Sequence, residues 1–167
     1  SNTFTDNQFI TGSLYITGSL NAYSQVYEVS FLEKISPSPY PSGNNLIELD
    51  QDLVTNPNYT RNTNTITVNS SGTYKIYTQC RIKNTSGTST DAEMLVYINS
   101  SPYKAYYIDN IKSAEISTYN FTCVANLNAN DDIEFHIEAA TQPFALYTFG
   151  KINTGVTCSY MTIEKLN

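Results

Sequence analysis

Alternation of apolar and polar residues, broken by polar turns, constrains this chain more than any other feature. It is densest from Asn44 to Ile76. Ile66 and Val68 alternate with Thr65, Thr67 and Asn69, and Ser71-Gly72-Thr73-Tyr74 then opens a run in which Tyr74, Ile76, Thr78, Cys80 and Ile82 share one face. Period two on both sides of a Gly-centred turn is the mark of paired antiparallel strands with one face buried. The stretch reads as a short strand, an Asn-rich turn, a second strand and the start of a third.

The same period recurs along the chain. Val26 to Lys34 is strand-like, with Val26, Phe31, Leu32 and Ile35 apolar. Ala92 to Ile98 is a strand ended by a turn at Asn99-Ser100-Ser101-Pro102, and a short strand follows from Ala105 to Ile108. Ser117 to Leu127 sets Tyr119, Phe121, Cys123, Ala125 and Leu127 against Thr118, Asn120 and Thr122. Ile133, Phe135 and Ile137 alternate with Glu134, His136 and Glu138, and a last strand runs from about Val156 to Leu166. Ser36 to Gly43, with three prolines, reads as a plain surface loop, because proline fixes φ and removes a backbone donor. No segment carries helical periodicity over 11 residues. Eight to ten short strands with polar turns mean an all-β sandwich or jelly roll.

Residues 1–25 stand apart from the domain at 26–167. Ile10-Thr11-Gly12-Ser13-Leu14 repeats as Ile16-Thr17-Gly18-Ser19-Leu20. Two such rungs cannot bury their own apolar side chains. Several chains wrapped together would bury Ile10, Leu14, Ile16 and Leu20; a flexible tail with a chance repeat is the alternative. The segment resembles the TGSL-type repeats of phage and viral fibre shafts.

Composition removes several function classes. Lys and Arg number 9 against 15 Asp and Glu, net charge −6, with no basic run. A nucleic-acid groove needs clustered cations, as does an anionic membrane surface. No apolar run approaches the roughly 20 residues of a membrane-spanning helix. Charged residues make up only 14%, and 14 of the aromatics are Tyr. The surface is therefore built of Asn, Ser, Thr and Tyr hydroxyl. Such a surface suits a protein exposed to the outside; an AT-rich genome gives the same composition. The first residues lack the charged start and apolar core of a secretory leader, so either such a segment has been removed or the protein assembles in a cytoplasm and is released by lysis.

Ile47-x-Leu49-Asp50, Asn56, Tyr59, Ile66-x-Val68 and Gly72-x-Tyr74-x-Ile76 resemble the opening half of the complement globular-head (C-one-q) and tumour-necrosis-factor jelly roll. Val96-x-Ile98-Asn99 is similar to that family's central strand and turn, Leu127 to Ile133 to its Leu-x-x-Gly-Asp-x-Val turn, and Met161-x-Ile163 to its closing strand. Asn130 replaces the usual Gly, and Asn tolerates the left-handed conformation a turn can require. The family's collagen-like stem is absent, and the TGSL repeat stands in its place. The resemblance implies a jelly-roll trimer with a binding role, no catalysis and no cofactor.

Two segments read as recognition loops. Arg81 to Asp91 offers Asn84, Thr85 and Ser86, and Ser101 to Asn110 offers Tyr103, Lys104, Tyr106 and Tyr107. Tyrosine presents a flat apolar ring and a hydroxyl with little rotamer entropy to lose; packing against an adjacent subunit is the other reading of these tyrosines. Tyr77 and Tyr119 are expected in the trimer contact. Asp50-x-Asp52 is a thin calcium candidate, since calcium takes six to eight oxygens; otherwise no metal is expected. Cys80, Cys123 and Cys158 show no metal spacing and read as buried free thiols, with one disulfide and a spare thiol as the alternative. Glu134-x-His136-x-Glu138 reads as a polar face or a subunit contact, with a zinc or nickel site on a threefold axis as the remote alternative. Sequons at Asn58, Asn69, Asn84, Asn99 and Asn120 matter only in a glycosylating pathway.

These features predict a homotrimeric receptor-binding head of a viral or phage fibre, on the virion surface or extracellular. It would contact a host cell-surface receptor or glycan and join the rest of the fibre or capsid through its N-terminus. A structural capsid-decoration or spore-surface trimer, and a monomeric carbohydrate-binding sandwich, are the alternatives.

Overall fold

A computed structural model describes residues 26–33, 39–147 and 157–166. The TGSL repeat, with Ile10, Leu14, Ile16 and Leu20, lies outside the described residues, as do Val156 and much of the proline-rich stretch. Twelve strands are described: β1 (Val26–Phe31), β2 (Gly43–Leu46), β3 (Leu49–Val54), β4 (Tyr59–Arg61), β5 (Thr65–Val68), β6 (Gly72–Asn84), β7 (Thr90–Ile98), β8 (Ser101–Ile111), β9 (Ile116–Leu127), β10 (Asp132–Ala139), β11 (Phe144–Tyr147) and β12 (Tyr160–Lys165).

They form two antiparallel six-stranded sheets. The first runs β11-β6-β12-β1-β3, with β9 on the other side of β6; the second runs β4-β5-β10-β7-β8, with β2 also on β10. Strand β12 therefore sits between β6 and β1. The 13-residue β6 is the spine of the first sheet and pairs with β9 from Gly72↔Leu127 to Lys83↔Ile116.

The alternation read from the sequence sets which face is dry. Tyr74, Ile76, Cys80 and Ile82 on β6, with Phe121, Cys123, Ala125 and Leu127 on β9, point inward. Ile66, Val68, Met94, Val96, Ile133, Phe135 and Ile137 answer from the second sheet. Phe31 and Phe135 stack across the two layers, ring centroids 4.9 Å apart and nearly parallel at 6°. Each fully buried side chain of this size contributes about 1.5–3 kcal/mol of transfer free energy.

Four expectations change. The stretch before β6 holds four strands, not two: Gly43 to Val54 is split into β2 and β3, and the three-residue β4, too short to show alternation, pairs with the alternating Thr65–Val68 in a tiny hairpin. The proline-rich stretch is not wholly a surface loop. Tyr40 is buried, bridges to Phe144 and stacks on its ring at 5.0 Å, and Gly43 opens β2 at φ +98, where a Cβ would be strained. The last strand begins at Tyr160, and Cys158 lies ahead of it rather than on it. The turn after β7 is only Asn99-Ser100, at φ 51 and 59, so Ser101 and Pro102 already belong to β8. Both φ values are positive, as a two-residue hairpin turn that matches strand twist requires. Proline is tolerated there because β8 is an edge strand and the register shifts beside it, between Val96 and Tyr97. Asn130 takes φ 73 in the β9–β10 turn, as its place in the sequence suggested.

One buried group works against the fold. The Thr78 hydroxyl lies in the core, opposite Phe121 and Met161, with no hydrogen-bond partner. Thr78→Val keeps the shape and removes the unsatisfied polar group. It should stabilise the domain by about 1 kcal/mol, read as a higher denaturation midpoint with an unchanged slope.

Candidate functional site

The open side of the sandwich is where apolar surface meets solvent. Strand β8 pairs only with β7, and β9 only with β6, among the described residues. Their free edges face the same side and are bridged by side chains. The Tyr103 hydroxyl donates to the Val124 carbonyl at 2.8 Å, and the Tyr106 ring stacks on Phe121 with centroids 6.3 Å apart. Tyr107 points to the other face of β8, where its hydroxyl donates to the Asp91 carboxylate, a bond that pushes the phenol's own ionisation up. The Asp91 carboxyl is held below the usual carboxylate range, first by the Asn110 N–H at 2.9 Å and then by Tyr107.

Five of the seven large hydrophobic side chains exposed among the described residues stand on these two strands: Tyr103, Tyr106, Tyr107, Ile116 and Val124, with Val124 and Tyr107 each more than half exposed. Val124 is the telling one. It occupies an outward position of β9, in a row that begins with Ile116 and is otherwise held by Thr118, Asn120, Thr122 and Asn126. A Val enclosed by Thr122 and Asn126, in a row opened by Ile116, is the signal by which the sequence could have shown this surface.

The structure places the remaining predicted residues as follows. Tyr103, Lys104, Tyr106 and Tyr107 lie on an edge strand, not a loop. The other recognition segment also shrinks: Arg81 to Asn84 finish β6, Thr90 and Asp91 start β7, and only residues 85–89 form the connection. Asn84 is fully buried and cannot contact a receptor. Its Nδ2 donates to the carbonyls of Thr88 at 2.7 Å and Ile111 at 3.0 Å, and its Oδ1 accepts from the Ser86 N–H and hydroxyl. Thr85 is tied to the Pro143 carbonyl at 2.9 Å. These three residues shape the loop.

Tyr77 and Tyr119 do not share a face. Tyr77 points outward beside Tyr160, its hydroxyl 3.0 Å from Gln79 Oε1, whereas Tyr119 points inward and packs against the core. Asp52 is already satisfied, by Arg61 Nε at 2.6 Å and the Tyr27 hydroxyl at 2.5 Å, and no group of three His, Cys, Asp or Glu among the described residues is arranged to hold a metal. The calcium candidate at Asp50 and Asp52 therefore has no support. All three cysteines are free; burial holds the Cys80 thiol well above its ordinary value and pushes Cys123 up to about 11, so neither is a poised nucleophile.

No protein-family model matches the chain, and no curated protein matches it. Solved structures do. The crystal structure of murine APRIL at pH 5.0 superposes with a TM-score of 0.59 at 14% identity, over 84% of this chain and 98% of that one. The structure of murine APRIL at pH 8.0 gives 0.55 at 13% identity, over 84% and 99%. The fold is a TNF-like jelly roll. At such identities the likeness concerns backbone architecture, and in this TNF-like sandwich the chemistry of the exposed edge is the chain's own.

Proposed function

We propose that this chain is the homotrimeric, non-enzymatic binding head of a viral or phage fibre, attaching to a host-surface receptor or glycan and joined to the shaft through residues 1–25. The observation that carries the trimer is the aromatic edge of β8 and β9. Tyrosine-rich, weakly charged surface of this kind is enriched where subunits meet. In this reading Tyr103, Tyr106, Tyr107 and Val124 form a seam between copies, and Tyr77 on the outward face of the first sheet belongs to the same assembly surface. Receptor contact falls to the polar turns that the seam leaves open. The low charge and the TGSL repeat support the fibre setting.

Light scattering on the full chain, 18.6 kDa per copy, and on a version lacking residues 1–25 tests the assembly. A trimer is expected in both. Val124→Lys places a charge at the seam without touching the core and should reduce the mass to that of a single chain at micromolar concentration, with the circular dichroism unchanged. A wild-type monomer, or a trimer indifferent to Val124→Lys, overturns the seam. Soluble protein that competes with attachment supports the receptor-binding reading; a trimer that does not compete favours the capsid-decoration alternative.

A further inference from the structure

The outward face of the second sheet is hollowed near one end. A recess of about 140 Å³ crosses β10, β7 and β8, lined by Glu138, Ala140, Asp91, Ala92, Glu93 and Tyr107. Strand register builds it: Glu138 stands directly opposite Glu93, and Glu93 directly opposite Tyr107. Three neighbouring strands thus set two carboxylates and an aromatic ring in one row. Asp91, on the same face of β7 as Glu93, ends the row; its carboxylate is fixed by the Asn110 N–H at 2.9 Å and by the Tyr107 hydroxyl. Ala140 brings only a methyl group, so the space stays open.

The two glutamates serve nothing in the fold. Neither makes a hydrogen bond among the described residues, and like charges directly opposite on paired strands weaken a sheet. No lysine or arginine on β7 or β10 relieves them. Lys104, the one cation of β8, shares the face of Tyr106 and turns away. The Tyr107 ring is more than half exposed, so its flat apolar side is open. A ring wall with a few convergent acceptors is the make-up of a small-molecule subsite. At about 140 Å³ the recess holds one six-membered ring, not the drug-sized ligand of a pocket of about 300–1,000 Å³.

We propose that this recess is a subsite for a neutral pyranose of a host-surface glycan. The apolar C–H side of the sugar lies on the Tyr107 ring, and its hydroxyls donate to Glu93 and Glu138 in charge-assisted hydrogen bonds. The same carboxylates repel acidic sugars, which makes the recess selective by exclusion. Its position suits a head. Val26, where the chain enters, is level with Lys75 through Glu164. Asp91 and Ala140 lie beside the other end of β6, where the Ala140 N–H donates to the Asp91 carbonyl and the Thr85 N–H to that of Pro143. At about 3.3 Å per residue, Lys75 and Asn84 are roughly 30 Å apart. The inference rests on the head reading and narrows that head's ligand. Within such a trimer Tyr103 and Tyr106 turn to β9, and Tyr107 turns to the recess at the margin of the seam.

The test applies the full chain to an array of immobilised neutral oligosaccharides, each beside its sialylated form, with glucosamine as the amine control. Binding to one or more neutral glycans is expected, and about tenfold weaker binding to their sialylated forms. Glu93→Gln and Glu138→Gln each remove one charge and keep the shape. Each should weaken neutral binding about tenfold and narrow the gap to the sialylated form. Both should melt no lower than wild type, because each breaks a like-charge pair. No neutral glycan bound, binding confined to glucosamine, or neutral binding unmoved by both variants overturns the recess. Light scattering and attachment competition read the head separately. A chain that binds neutral glycans through Glu93 and Glu138 but stays monomeric overturns the head and leaves the recess; a competing trimer unmoved by both variants does the reverse.

Discussion

Phe135→Ala should lower the stability of the domain by about 3–5 kcal/mol. The side chain is fully buried, lies parallel to Phe31 of the opposite sheet, and stands on β10, which pairs with β7 on one side and with β5 and β2 on the other. Truncation removes the stacking partner of Phe31 and opens a cavity that paired backbone on both flanks cannot collapse to fill. Against a typical total of about 5–15 kcal/mol, that is enough to bring the variant near unfolding at ordinary temperature. Phe135→Leu keeps most of the volume and should cost far less, about 1.5 kcal/mol. Denaturant unfolding of both variants checks the pair. Equal losses would mean that volume is not what the position supplies.

Asn84→Ala should cost about 3 kcal/mol, through a different mechanism. The residue is buried, and one amide serves the Thr88 and Ile111 carbonyls and the Ser86 N–H and hydroxyl together. Alanine strips those groups of their partner at once, and only the loop side is open enough for water to replace it. Asn84→Asp tests the donor half: it keeps the acceptor but turns a carboxylate toward two carbonyls, so at neutral pH it should be at least as damaging as alanine. Paired measurements of stability and attachment separate the roles. Lost attachment at unchanged stability would return Asn84 to the recognition surface.

The residues whose alternation is strongest were the most legible. Tyr74 to Ile82 and Phe121 to Leu127 lie on strands with one wet and one dry face, and that contrast is what a period of two records. Only Ala105 to Ile108 of strand β8 read as a strand, and the rest escaped because β8 overhangs the sandwich. From Ser101 to Tyr107 both faces are exposed, so no residue is selected for burial and the start of the strand reads as a turn and loop. Asn84 misled for the opposite reason. A buried amide satisfied by its own loop leaves the same trace as an exposed Asn in a polar turn, since what distinguishes them is the direction of hydrogen bonds. Asp52 looked like half of a cation site because nothing in its spacing announces Arg61 across the β3–β4 connection. The recess beside Tyr107 is out of reach for a similar reason. Glu138 lies far from Glu93 in the chain and meets it only through the pairing of β10 with β7.

The place of β12 between β6 and β1 has a consequence for the order in which the molecule can be made. Synthesis delivers β1 among the earliest of the described strands and β12 last, yet β12 is the piece that joins them. Until it emerges, the β1–β3 pair and the β6–β9 pair are two half-sheets, each with an unsatisfied edge and an apolar face. Contacts of such long sequence separation close slowly. Open edges are also templates for the wrong neighbour. A ribosome-bound chain of this topology cannot complete its first sheet early, and crowding of nascent copies puts two routes in competition: insertion of a chain's own last strand, or capture of another chain's.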